Sequence, residues 1–390
     1  MRSTRLAVAL VLALPAAAVA QPAADPAAPP AEGAPPEPAP EPTPEPAPAP
    51  DPAPAATALA ATAPAEPAPA AKPAIESHGF GSLAYTHNFA NPSDKANQLR
   101  VFDGHSDSFT VDAAEISALR TTKVGGDLGF RADLVAGSTV PSAGGAVIDL
   151  QQAYGSWRAT DTVVIDVGKF VTPTGYEVIE GWDGWNDNYS RSILFGYAIP
   201  FTHTGARVAA TFGDLTATAY LVNGWDNPVD DNLGKTFALN ALYVHGDLTA
   251  AATVMSGKEA PGWRTLIDAL ASYKVGTTAV VGINGDFATA DNAGTTVTWY
   301  GVAGYGNVSP TDKVTVGVRG EWFDDKDGAR TGLAQTLLEG TLTGTLHLQG
   351  GLHLRAEVRF DHSDQKPFGD DPADPSSSQV TAALNAVAAF

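Results

Sequence analysis

Four carboxylates recur every three or four residues in "GYEVIEGWDGWNDNYSRS" (175–192): Glu177, Glu180, Asp183 and Asp187, with Arg191 four residues further on. No histidine, lysine or cysteine stands among them to act as base or nucleophile. What such a set can do is electrostatic. It accepts charge-assisted hydrogen bonds, pairs with guanidinium groups, and repels or attracts mobile ions. Trp182, Trp185 and Tyr189 are interleaved with the acids. Rings with one polar end suit a contact that is half apolar and half wet, so these three are candidate anchors for the segment.

Bond-making chemistry finds little support elsewhere. The eight histidines (78, 87, 105, 203, 245, 347, 353 and 362) are scattered, and neither G-x-S-x-G nor H-E-x-x-H occurs. His347 and His353 flank a predicted turn and read as turn or lumen residues. The chain has no cysteine, so it has neither a disulfide nor a thiolate metal site. "FDDKDG" (323–328) places Phe323 where a calcium loop needs its first oxygen ligand. "GVAGYG" (301–306) lacks the helix and lysine of a phosphate loop. The reading is no enzyme, no catalytic residue, no metal and no cofactor. A net charge of −20 also disfavours nucleic acid, whose phosphates need a basic footprint.

The elements that would position the acids follow period two. Leu352, Leu354, Ala356, Val358 and Phe360 alternate with His353, Arg355, Glu357, Arg359 and Asp361. Val314, Val316 and Val318 alternate with Thr315, Gly317 and Arg319, and Leu128–Leu134 repeats the pattern. Alternation over nine or more residues describes strands with one apolar and one wet face, long enough for a tilted bilayer crossing. Tight turns such as "TFGDLT" and "VHGDLT" alternate with longer polar connections such as "NPSDKANQLRVFDGHSD" and "DNPVDDNLG". Strands are expected near 79–89, 109–121, 126–136, 148–158, 162–170, 203–212, 215–224, 236–245, 248–257, 264–273, 277–287, 296–306, 313–322, 335–346, 350–361 and 379–390. The fold class is therefore all-β, a transmembrane antiparallel β-barrel of about sixteen strands. An even count puts both termini on one side, which is the periplasm.

Two further segments precede the barrel at 75–390. Arg2 and Arg5 before the apolar run Leu6–Leu14, with Ala18-Val19-Ala20 after it, read as a signal peptide over 1–20. Residues 21–74 contain 19 prolines, mostly in Ala-Pro and Glu-Pro alternation, and read as a disordered, polyproline-like periplasmic linker. Beyond the linker the chain carries 20 basic and 36 acidic residues, a net −16.

Parity assigns the wet face. Arg131, Asp133, Asp166, Arg207, Arg264, Asp268, Arg319, Glu321, Arg355, Glu357 and Arg359 should face a lumen too wide for its own side chains to fill. The acidic segment, lying within 171–202 after the fifth strand, is the third long connection. Folded inward, Glu177, Glu180, Asp183 and Asp187 would face those arginines across a constriction and set a transverse field.

The stretch "VGKFVTPTGYEVIEGWDGWNDNYSRSILFGYAIPFTHTGARV" (167–208) resembles the OmpL-like β-barrel porin family of the Gram-negative outer membrane. The resemblance is carried by Gly168-Lys169-Phe170, Thr172-Pro173-Thr174-Gly175, Asn188 with Ser190-Arg191-Ser192, and Pro200 followed by His203, Gly205 and Arg207. The chain departs at its end, where "ALNAVAAF" keeps the terminal phenylalanine but has alanines in place of aromatics. Likeness to general diffusion porins implies that the third loop folds in and narrows the barrel. The expected function is passive diffusion of small hydrophilic solutes and ions through an outer-membrane channel. Expected partners are outer-membrane lipid and lipopolysaccharide, peptidoglycan within reach of the linker, and further copies of the chain in a homo-oligomer. The alternative is a structural anchor or adhesin barrel with the Pro/Ala rod as its spacer.

Overall fold

The computed structural model describes residues 74–138, 148–260, 262–369 and 375–390. The signal-peptide reading and all but residue 74 of the linker reading lie outside these residues. Sixteen strands run in chain order: β1 (Glu76–Asn88), β2 (Ser108–Arg120), β3 (Leu128–Ala136), β4 (Ile148–Arg158), β5 (Val163–Val171), β6 (Thr202–Phe212), β7 (Leu215–Val222) and β8 (Thr236–His245). They continue as β9 (Leu248–Lys258), β10 (Trp263–Val275), β11 (Ala279–Asn292), β12 (Thr295–Thr311), β13 (Val314–Asp325), β14 (Gln335–His347), β15 (Leu352–Ser363) and β16 (Ser378–Ala389). Each pairs antiparallel with its chain neighbours, and β16 closes on β1 through Phe80↔Ala389 to Asn88↔Thr381. Closure leaves no sheet edge, which a strand in hydrocarbon requires because water cannot satisfy a free edge there. All sixteen expected strands are present.

The pleat sorts the side chains as their alternation dictates. Val314, Val316, Val318, Leu354 and Val358 are exposed on the outside, while Thr315, Arg319, Arg355, Glu357 and Arg359 are buried inside. Two belts of outward aromatics ring the barrel. Phe109, Phe237, Trp263, Phe287, Trp322 and Phe360 lie towards the long-loop end, and Trp157, Phe212, Tyr243 and Tyr273 towards the short-turn end. Amphipathic rings favour the two membrane–water interfaces, so the belts frame the apolar band.

Gly213 and Gly246 open two-residue turns with φ of 62° and 57°, matching the glycine-first hairpin that twisted strands prefer. The division into short turns and long loops has two exceptions on the long side. Residues 259–262 join β9 to β10, and only Ala293 and Gly294 join β11 to β12, with φ of 53° and 90°. Both termini of the barrel lie at the short-turn end. There Gly79 and Phe390 exchange backbone hydrogen bonds of 2.8 and 3.0 Å, so the last residue is tied into the closure.

The interior differs from a uniformly wet lumen. Ile193, Leu194, Phe195, Ile199 and Phe201 of the third loop pack with Phe170, Met255, Leu266, Trp299, Phe323 and Leu337 of the wall. The expected aqueous lumen is thus dry towards the long-loop end, because the loop supplies the apolar volume that the wall side chains lack.

Candidate functional site

The third loop, 172–201, enters the barrel and touches its wall on many sides. Its short helix α1 (Ile193–Tyr197) is capped by Ser192, whose hydroxyl accepts from Phe195 N at 2.9 Å. Burying each large apolar side chain of this part contributes about 1.5–3 kcal/mol, so the loop is held and not loosely hung. Gly301 makes room for it: a Cβ there would meet Leu194 Cδ1 at 2.8 Å. At its tip the loop turns tightly, with Gly181 and Gly184 paired across the turn.

Charge is exchanged in both directions between loop and wall. The Glu177 carboxylate takes Arg319 at 2.6 Å and the amide and hydroxyl of Ser192. Glu180 takes both ends of the Arg355 guanidinium at 2.6 and 3.0 Å, with Arg191 at 3.6 Å. In return, wall carboxylates receive loop backbone. Glu357 accepts Tyr189 N and Ser190 N at 2.6 and 3.0 Å, and Glu321 accepts Ile193 N and Leu194 N at 2.6 and 2.8 Å. Asp268 accepts Gly175 N at 3.2 Å. Buried loop amides need partners, and here the inward acids of β10, β13 and β15 provide them. Burial alone would push the Glu180 carboxyl up; the Arg191 and Arg355 guanidiniums outweigh it and hold it below the usual carboxylate range.

The loop acids therefore do not face the arginines across an open gap. Glu177 and Glu180 are in direct contact with them, because 177–180 and 188–194 dock against β13–β15. Asp183 reaches Arg131 at 2.6 Å, and Arg131 also holds Asp133 at 2.7 Å. Asp187 is exposed and forms no ion pair among the described residues. Arg191 bonds Tyr189 O and Val178 O and lies 5.2 Å over the Phe102 ring. Arg359 pairs with Asp361 at 2.7 Å and Glu339 at 3.5 Å, Arg207 with Asp166 at 2.8 Å, and Arg264 lies 4.6 Å over Trp225.

The three aromatics all meet wall residues. Trp182 stacks on His78 with centroids 3.7 Å apart, Trp185 meets His353 at 4.8 Å, and Arg355 lies 5.8 Å over Tyr189. His78 and His353 sit near the short-turn ends of β1 and β15, so the loop tip reaches deep into the barrel.

The two sides of the lumen differ in wetness. The ion pairs on β13–β15 keep 0–6% of their side-chain exposure. The Arg131–Asp183, Lys169–Asp149 and Arg207–Asp166 pairs on the β3–β6 side keep 11–36%. A cavity of about 30 Å³ lies between the loop and β1–β4, lined by Ser82, Asp103, Asp112, Gln151, Glu180 and Tyr189 among others.

Several residues here escape the sequence reading. The first loop, 89–107, also turns inward: Arg100 pairs with Asp103 and, at 2.6 Å, with Asp361, while Phe102 packs 5.5 Å from Phe201. Leu99, Val101 and Phe102 in "LRVFD" (99–103) cluster apolar residues in a largely polar stretch and were the available signal. Glu339 could have been placed inward from its alternation with the outward Leu338 and Leu342 and its shared parity with Thr341. Glu115, which accepts Trp182 N at 3.0 Å, follows from the parity of β2.

A closed sixteen-strand barrel with an inward third loop defines the outer-membrane porin class. Residues 74–390 match the family model described as "Putative beta-barrel porin-2, OmpL-like", and the chain belongs to that family. Similar solved structures include an anion-selective porin from Comamonas acidovorans (14% identity, TM-score 0.59, covering 81% of this chain and 99% of that one). The outer membrane channel DcaP of Acinetobacter baumannii gives 12%, 0.57, 81% and 97%. OmpT of Vibrio cholerae gives 11%, 0.55, 81% and 97%. At these identities the likeness speaks for the fold alone. Among curated proteins, no sequence matches this chain.

Proposed function

We propose that the protein is an outer-membrane channel for passive diffusion of small hydrophilic solutes and ions, and that loop 172–201 sets its width. The observation that carries this reading is the loop's course inside a closed barrel, docked on β13–β15 and leaving the β3–β6 side partly wet. Solutes pass on that wet side, where Arg131, Lys169 and Arg207 alternate with Asp149, Asp166 and Asp183. Charges of both signs along a confined path act on mobile ions through short-range fields. With Asp183 and Asp187 the most exposed of the loop acids, the channel should prefer cations modestly.

Reversal potentials across a planar bilayer under a salt gradient test this. Asp183→Asn with Asp187→Asn should shift selectivity towards anions, and the shift should shrink in 1 M salt, where the Debye length is about 3 Å. An unchanged reversal potential would remove the loop from the pathway. Flux should rise linearly with solute concentration, without chemistry or cofactor. The short-turn end with both termini faces the periplasm, the barrel contacts lipid and lipopolysaccharide, and copies assemble into a homo-oligomer, as the trimer form of Vibrio cholerae OmpT does. The dry apolar cluster favours a second reading, a plugged structural anchor, which would insert into bilayers without conducting.

A further inference from the structure

His347 and His353 are direct cross-strand partners on the inward face of β14 and β15, beside the turn that joins them. Their Nδ1 atoms point at each other across 2.7 Å, with ring centroids 4.8 Å apart and planes at 78°. The second nitrogen of His347, Nε2, meets the Thr315 hydroxyl at 2.8 Å, and Thr315 in turn meets the Ser309 hydroxyl at 2.9 Å. In the tautomer that donates Nε2–H to Thr315, the His347 Nδ1 lone pair faces the partner ring and accepts from Nδ1–H of His353, the proton a metal ion would displace. Fixing one imidazole nitrogen by an outer hydrogen bond is how proteins present the other nitrogen to a metal.

We infer that His347 and His353 form a two-imidazole site for a divalent transition-metal ion such as Zn²⁺ or Cu²⁺ at the short-turn mouth of the barrel. Zinc–nitrogen bonds of about 2.0–2.1 Å put two nitrogens of a tetrahedral site about 3.3 Å apart. Rotation of the two rings would have to widen the present 2.7 Å separation by about 0.6 Å. Among the described residues no three metal-ligating side chains are already gathered, so water completes the coordination. The site is open to the lumen on the His347 side, which is half-buried, while His353 is buried. Imidazole nitrogen selects borderline ions over Mg²⁺ and Ca²⁺, which take oxygen ligands. The Trp185 ring, 4.8 Å from His353, makes the loop tip a reporter for the bound ion.

The test uses the full chain, purified in detergent without a histidine tag. Titration with Cu²⁺ in excess Mg²⁺ should give saturable binding, a spectrum with two nitrogen ligands by electron paramagnetic resonance, and partial quenching of tryptophan fluorescence. Trp185→Phe should lose that quenching while still binding. His347→Gln and His353→Gln should each weaken binding at least tenfold, whereas His105→Gln, in the first loop, should not. Zn²⁺ should compete with Cu²⁺, and Ca²⁺ should not. Unaltered binding in both pair variants, or no nitrogen signature in the unmodified chain, would show the pair to be a hydrogen bond alone. Neither binding outcome depends on whether the barrel conducts, so failure here leaves the channel reading intact.

Discussion

Arg355 grips Glu180 through both ends of its guanidinium, and each partner keeps no more than 6% of its exposure. Removing one member of a buried pair strands the other, at a cost of about 3–5 kcal/mol. Arg355→Ala should therefore loosen the loop and expose 177–191 to limited proteolysis in detergent, where the unmodified chain resists. The same pair carries a pH dependence. The Glu180 carboxyl is held below its usual range, so its contribution is present above the unfolded value, near pH 4, and is lost as pH falls through the lower folded value. Tryptophan emission should report release of the loop tip only in strong acid. Glu180→Gln should abolish that step, and an identical acid transition in the variant would assign it to other carboxylates.

The strands are where sequence and structure agree most closely, and the reason is the bilayer. A face in lipid must be apolar and a face in the lumen can be wet, so alternation survives along β13, β14 and β15 with little interruption. The expected 148–158 and 236–245 coincide with β4 and β8 to the residue. That parity is testable on β8. Leu239 is 67% exposed on the outside and Asn240 faces in, bonded to Thr253 at 2.9 Å. Leu239→Arg should cost about 2–4 kcal/mol near the bilayer centre and depress assembly, measured as the heat-modifiable fraction on gels, while Asn240→Arg should assemble normally. The third loop was legible as an ordered inward segment from its acids and aromatics. Its partners were not, because which guanidinium meets Glu177 or Glu180 depends on how deep the loop reaches, and depth leaves no mark in spacing. The run Ile193–Phe201 belonged to a loop without alternation, so its place in the apolar cluster emerges only when Trp299, Phe323 and Leu337 are seen against it. Phe195→Ala should leave a cavity costing about 3–5 kcal/mol and mobilise α1 before the barrel itself unfolds.

At the scale of the molecule, the barrel is a closed wall with two loops folded into it, and the proposed selectivity would reside in those loops. The loop and wall acids neutralise the arginines of β13–β15, and the partly wet pairs of β3–β6 are where the proposed path would run. Under the proposed function the loop tip, 181–187, would contribute most to the pore's width, since its tryptophans reach from His78 on β1 to His353 on β15. A chain lacking the Pro/Ala-rich residues 21–74 should conduct as the full chain does. The most direct test of the whole account is single-channel conductance in a planar bilayer, comparing the full chain with one in which 181–187 is replaced by two glycines. The first should show a small, steady conductance and the second a several-fold larger one. Equal conductance in the two, or none in either, would contradict it.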